Sequence, residues 1–344
     1  MGQPAAPGTR SWLRRASAWP LAALVGAAAL SGCGSSDEPA ADAGSTPAGE
    51  PVAWTLVLDY QPNAVHAGLL HAQAAGYFER AGIDLEIVAP ASTSDPLTQV
   101  TRGKADVGLA DLIDVARRND RDASLVLAGA VVQRPMSGIL VDAASNITRP
   151  QQLRGKRIAV TGLPSDEAVV EAIVSSGAGP KIAPDTVTLG FNGLKALDAG
   201  RVDGATAYWP ADAVSLEDLG TKPRVFALDE FGGPRYPGLV AFTGSKLAAQ
   251  EPAKLDAFQD ALARGTREVA ADPAVGRTAV GDAYPELDAA ITARQLKAIV
   301  PLFGTGEQAG RIDPAALTAL AQFAAASNLT SRALSPAELG LRER

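Results

Sequence analysis

From Trp54 onward the chain alternates short apolar or β-branched runs with stretches of helix formers, a pattern that a layered α/β fold absorbs and an all-helical or all-strand fold does not. Residues 54–58 (WTLVL) favour a strand, residues 64–75 supply Ala, Leu and His for a helix, and Gly76 and Gly82 punctuate the turn after it. Residues 83–88 (IDLEIV) alternate apolar with polar side chains, as a half-buried strand does. The spacing then predicts a helix over 95–102, a strand over 105–110, a helix over 111–119 capped by Asp111, and a strand over 125–132. A second series follows, with strands over 157–160, 186–189, 204–208 and 224–228 and helices over 165–176 and 194–199. Strands that alternate with helices imply mostly parallel sheets. Two extended segments, 139–141 and 239–242, flank the second series and are expected to carry the chain between two lobes. Past Pro252 the chain turns helical, and Leu255, Phe258, Leu262 and Val269 recur at the three-, four- and seven-residue spacings of one buried face. The expected architecture is α/β, with lobe 1 built from 53–139 plus 241–344, lobe 2 from 140–240, and a cleft between them.

The 344 residues are enough for two ordinary domains, and a 47% hydrophobic content can supply their cores. A formal net charge of −7 and no long basic tract disfavour a nucleic-acid partner. At the amino end, Arg14 and Arg15 precede an uncharged Ala/Leu/Val-rich stretch over 16–30, the order of an export signal. That stretch is short for a bilayer span, which needs roughly 20 residues. It ends in Leu30-Ser31-Gly32-Cys33, which resembles the lipobox of bacterial lipoproteins, so residues 1–32 are expected to be removed and Cys33 to receive lipid. A plain signal peptide or an uncleaved anchor is the alternative. Cys33 is the only cysteine, which leaves no disulfide within the chain. Residues 33–52, rich in Gly, Ser, Ala, Asp and Pro, read as a flexible tether. Two or more acyl chains at Cys33 would hold the body outside the cell membrane, since each buried methylene contributes about 0.8 kcal/mol.

The segment Asp59-Tyr60-Gln61-Pro62-Asn63-Ala64-Val65-His66-Ala67-Gly68 resembles the D-W-x-P-N-x-x-H-x-G opening of the family that joins thiamine-pyrimidine synthases to the ThiY and SsuA solute receptors. Gly76-Tyr77-Phe78, Gly103-Lys104-Ala105-Asp106, Gln133-Arg134-Pro135 with Ser137-Gly138, and the stretches 153–160 and 162–168 extend the likeness in order, over roughly residues 54–242. The resemblance implies a type II periplasmic-binding-protein fold, two α/β lobes joined by two hinge crossings. It also implies an extracytoplasmic receptor that passes a small solute, a thiamine-pyrimidine precursor in the closest characterised branch, to the permease and ATPase subunits of an ABC importer. The alternatives are a receptor for sulfonate, nitrate or a flavin, or an enzyme resembling the pyrimidine synthases. The synthase branch carries a cysteine-rich iron motif that this chain lacks, so the resemblance implies no catalytic residue. Two departures bear on the solute: Pro210-Ala211-Asp212 follows Trp209 where the family often has Asn and Glu, and Gly238 stands where relatives often carry an acid.

Open α/β sheets bind ligands beyond the carboxyl ends of their strands, so the loops there hold the candidate site. A flat heteroaromatic ring gains from stacking, and Tyr60, in the position of the family's Trp, and Trp209 are the expected sandwich, with Tyr208 and Tyr236 nearby. Asn63 can serve a ring edge as donor and acceptor or act as a turn residue. His66 matches the family histidine and either contacts the ligand or holds the loop from Asp59 to Asn63 through a backbone group. Ser165, Asp166 and Glu167 open a helix whose free N–H groups suit a polar ligand group or are closed by capping. Asp59 and Asp111 either accept from an amino group or serve as turn and cap. Two histidines and one cysteine give no metal-ligand spacing, and no nucleotide or nucleophile fingerprint is present, so neither metal nor cofactor is expected.

Overall fold

The computed structural model describes residues 50–177 and 184–342; the expected signal segment, Cys33 and the tether up to residue 49 lie outside the described residues. The described residues fall within one compact unit, Pro47–Arg344. Its strands are β1 (Val52–Val57), β2 (Ile83–Val88), β3 (Val107–Ala110), β4 (Leu125–Val132), β5 (Ser137–Asp142), β6 (Arg157–Val160), β7 (Asp185–Thr188), β8 (Gly204–Tyr208), β9 (Pro223–Ala227) and β10 (Leu239–Gly244). They form two five-stranded sheets with the orders β2-β1-β3-β10-β4 and β7-β6-β8-β5-β9. Within the first, β1 runs parallel to β2 and β3, and β10 antiparallel to β3 and β4. Within the second, β6 runs parallel to β7 and β8, and β5 antiparallel to β8 and β9. Each sheet is therefore mostly parallel, with one reversed strand in the fourth place.

That reversed strand is the one that has just arrived from the other sheet. The extended segments 139–141 and 239–242 are consequently not the crossings themselves. They lie inside β5 and β10, each hydrogen-bonded on both edges, and the chain passes between sheets earlier, over 133–136 and 228–238. Their unbroken apolar character reflects burial on both faces of an interior strand, with Ile139, Leu140, Val141, Val240, Ala241 and Phe242 all fully buried.

Helices cover both sheets. In the first half of the chain these are α1 (Ala67–Ala74), α2 (Tyr77–Arg80), α3 (Asp95–Thr101) and α4 (Leu112–Asp122). Next come α5 (Asp166–Val174), α6 (Gly193–Asp198) and α7 (Trp209–Leu219). The sequence pattern assigns no element to α7, yet Pro210 in its first turn has the φ a helix start requires and no N–H to satisfy there. The chain closes with α8 (Ser245–Gln250), α9 (Pro252–Ala271), α10 (Pro273–Ala283), α11 (Ala289–Ile299) and α12 (Pro314–Ala326). The expected apolar face of α9 is buried at Leu255, Phe258, Leu262 and Val269, and the Phe258 ring stacks on Phe78 at 5.1 Å. Each such side chain contributes about 1.5–3 kcal/mol by leaving water. Among the described residues no helix is long and apolar enough to cross a membrane.

Candidate functional site

Loops at the carboxyl ends of β1, β3, β6 and β8 converge on a cleft of about 840 Å³, counting space open to solvent. Asp59, Tyr60 and Asn63 follow β1, and Asp111 and Asp114 follow β3. From the second sheet come Thr161, Leu163, Ser165 and Asp166 after β6, Tyr208 at the end of β8, and Ala211 and Asp212 at the start of α7. Both sheets thus supply walls, at the ends where an open α/β sheet leaves its loops free.

The first loop is held from below. Asn63 caps a short 3-10 turn, its side chain accepting from Val65 N at 2.8 Å. The Asn63 N–H donates to His66 Nδ1 at 3.2 Å, so the imidazole proton resides on Nε2, which donates to Asp59 Oδ1 at 2.9 Å. His66 is fully buried and does not line the cleft. Of its two possible roles, the geometry selects the holding one, because both ring nitrogens are committed within the loop. Asp59 and Asn63 are thereby fixed at the cleft wall. Tyr60 also lines the cleft, its ring edge-on to Phe191 at 4.7 Å and 85°. Burial, with the nearby carboxylates of Asp212 and Asp59, raises its hydroxyl pKa and keeps it a neutral donor.

Carboxylates dominate the rest. Asp111 caps α4, accepting from Ile113 N at 3.0 Å through Oδ1, while Oδ2 accepts from Ser137 Oγ at 2.8 Å and from the Tyr236 hydroxyl at 3.4 Å. Burial still pushes its pKa up to about 6. Asp114 follows one turn later; its Oδ2 accepts from Ser165 Oγ at 2.9 Å, a bond from the first sheet's α4 to the start of α5. Burial, then the charge of Asp111, pushes Asp114 up to about 8. Asp212 accepts from Tyr208 N at 2.8 Å and is pushed up to about 7 by burial, with Asp59 adding to it. Asp166 accepts from Gly162 N at 2.7 Å and Leu163 N at 2.9 Å, closing its own loop, and burial raises its pKa. Among the described residues no lysine, arginine or histidine lines the cleft.

Of the residues expected from sequence, the structure brings Asp59, Tyr60, Asn63, Asp111, Ser165, Asp166 and Tyr208 to the cleft. Glu167 is exposed and outside it. Tyr236 is buried behind Asp111. Trp209 does not line the cleft either, so the Tyr60–Trp209 sandwich does not form. The chain turns from β8 into α7 between Tyr208 and Trp209, and the indole is carried beneath the Arg134 guanidinium, 5.4 Å from its ring. The departure at Gly238 has a steric cause: a Cβ there would lie 2.7 Å from Pro135 Cα, where the two crossing segments touch, so no acidic side chain fits. Sequence reasoning missed Asp114 as a site residue, although its spacing of three from the cap Asp111 puts both at one helix start. It noted Asp212 only as a departure. Among the described residues no group of three His, Cys, Asp or Glu side chains is arranged to hold a metal ion.

The family model described as NMT1/THI5 like matches residues 63–275. The chain belongs to the NMT1/THI5 like family. A formylaminopyrimidine-binding protein of Halalkalibacterium halodurans is 26% identical over 219 residues, 63% of this chain and 66% of the relative, just under two thirds of its length. A 4-amino-5-hydroxymethyl-2-methylpyrimidine phosphate synthase of Saccharomyces cerevisiae is 25% identical over 262 residues, 73% of this chain and 77% of the relative. The alkanesulfonate-binding protein SsuA of Xanthomonas axonopodis pv. citri, solved bound to MOPS, superposes with a TM-score of 0.67 at 18% identity, covering 86% of this chain and 100% of that one. This NMT1/THI5 like chain therefore has the periplasmic-binding-protein fold.

Proposed function

We propose that the protein is the extracytoplasmic solute receptor of an ABC importer, capturing a small heteroaromatic solute akin to a thiamine-pyrimidine precursor by closing its two lobes upon it. The lipid expected on Cys33 would tether it to the membrane beside its permease and ATPase partners. One observation carries the reading: the cleft draws hydrogen-bonding groups and the Tyr60 ring from one sheet and apolar and polar walls from the other. A ligand stabilises a closed form only through contacts it gains there, and such a cleft makes those contacts from both sides. Binding without conversion is supported by the relative named for formylaminopyrimidine binding. It is also supported by the histidine of the loop, His66, being withdrawn into a structural role. The yeast relatives are named as synthases, so the test must watch for chemistry as well as binding.

The experiment is a thermal-shift series on the purified protein with hydroxymethylpyrimidine, its formylamino counterpart, thiamine, riboflavin, taurine and nitrate, followed by chromatography of the recovered ligand. A pyrimidine at about 100 times its dissociation constant should add about 2.7 kcal/mol of stability and be recovered unchanged. A response to taurine or nitrate alone would refute the ring assignment, and a converted product would refute the receptor assignment. An anionic solute is disfavoured by a cleft that, among the described residues, presents carboxylates and no cation.

A further inference from the structure

The charge of the cleft is one-sided to a degree that solute capture alone does not require. The carboxylates of Asp59, Asp111, Asp114, Asp166 and Asp212 line it, and among the described residues no basic side chain does. Four of the five are provided for by donors of the protein's own: His66, the start of α4 with Ser137, the loop 161–163, and the Tyr208 N–H. Asp114 is the exception. It is 3% exposed, Ser165 satisfies one of its oxygens, and the other, Oδ1, is buried without a hydrogen-bond partner on a residue that faces the cleft. Protonation does not remove the deficit, because an unpartnered hydroxyl or carbonyl oxygen is left in its place.

We propose, resting on the receptor reading above, that the cleft takes its solute as a cation: a small ring-bearing molecule whose protonated amine donates to Asp114 Oδ1 beside Asp111. An ammonium supplies the missing donor and at the same time offsets the mutual repulsion of Asp111 and Asp114, the pair that faces it from α4. Asp166 and Ser165 face Asp114 from α5, and Arg117, whose charge partly offsets theirs, lies on α4 outside the cleft. An anion would bring one more negative charge to a wall with nothing to balance it. Leu163, Val169 and Leu194 make the neighbouring wall apolar, which suits the carbon frame of an organic amine rather than a hydrated metal ion.

The test is calorimetric titration of the full chain, at about pH 8, with four probes. These are 4-amino-5-aminomethyl-2-methylpyrimidine, its 5-hydroxymethyl counterpart, its 5-carboxylate counterpart, and the ring-free-of-nitrogen amine cyclohexylmethylamine. The aminomethyl ring should bind about tenfold or more tightly than the hydroxymethyl ring, as a charge-assisted hydrogen bond exceeds a neutral one. Asp114→Asn should erase most of that difference, while Asp84→Asn, on the exposed face of β2, should preserve it. Independently of any variant, affinity for the aminomethyl ring should rise between about pH 6 and pH 8 as Asp111 and Asp114 ionise, and affinity for the hydroxymethyl ring should not. Equal binding of the two rings, or a pH-independent preference, overturns the cation assignment and leaves the pyrimidine receptor intact. Binding of cyclohexylmethylamine without either ring overturns the heteroaromatic reading and upholds the cation assignment. Preference for the carboxylate, or no response to any probe, overturns both.

Discussion

Two buried aspartates in this chain are treated in opposite ways. Asp229, its side chain fully buried, lies where the two crossing segments meet. Arg134 of the first crossing grips it in a fork, Nε at 2.6 Å and a terminal nitrogen at 3.0 Å, and Arg235 of the second stands 3.3 Å away. Asp114 is buried to a similar degree at the cleft and has one hydroxyl for company. A buried charge with a geometrically matched partner is part of the scaffold, and breaking it leaves the partner stranded. A buried carboxyl held beside other carboxyls, with an oxygen unanswered, stores a preference that a ligand can satisfy. The contrast separates the hinge, where charge is spent on holding the crossings together, from the cleft, where it is left available.

That contrast can be broken or sharpened by four measurements. The largest effect is expected for Asp229→Ala, which removes the forked partner of a partly exposed Arg134, leaving it only Glu230 at 2.8 Å, and should lower the unfolding free energy in urea by about 2–3 kcal/mol; a loss under about 0.5 kcal/mol would erase the distinction. Next, Tyr60→Ala should weaken a pyrimidine ligand about tenfold in calorimetry, from lost ring contact and burial, and unchanged affinity would mean the ring rests elsewhere. Third comes Asp114, whose pKa moves from 3.8 to about 8 on folding. Between those values the native state holds the proton and the unfolded chain has released it. Its contribution to stability is therefore fully present below about pH 3.8 and is lost as pH rises through about 8. Asp111, raised to about 6, and Asp212, raised to about 7, act in the same sense. The ligand-free protein should thus be more stable at pH 5 than at pH 8, and Asp114→Asn should raise stability at pH 8 by about 1 kcal/mol and flatten the slope. An unchanged slope in thermal unfolding would place the titrating group elsewhere. The smallest effect is expected of Trp209→Phe: the indole N–H is buried with no partner and the ring does not line the cleft. Ring affinity should stay within about twofold and stability within about 0.5 kcal/mol.

Much of the scaffold was legible because its signals are local. Strands β2, β4, β6 and β8 coincide with the segments 83–88, 125–132, 157–160 and 204–208 predicted for them, each a short apolar or alternating run bounded by polar or turn residues. What an apolar run does not carry is the sheet it will join, which is why 139–141 and 239–242 read as crossings. At the cleft, Asp59, Tyr60 and Asp111 were legible from their place at strand ends. Trp209 was not, because one residue separates a strand end from a helix start and reverses where the side chain points. Asp114 and Asp212 were silent for another reason: an aspartate in the first turn of a helix is an ordinary partner of the helix dipole, and only the tertiary fold shows that these two are walled in.

The shared strand order of the two sheets bears on how the molecule comes into being. All five strands of the second sheet lie in the unbroken stretch 137–227, whereas the slot between β3 and β4 in the first is filled only by residues 239–244. During synthesis the second half can be completed while the first still waits for its penultimate strand, with two unpaired edges facing each other across a gap. The last strand to be inserted is thus an interior one, and the amino-terminal half becomes native only after the part nested within it has been built.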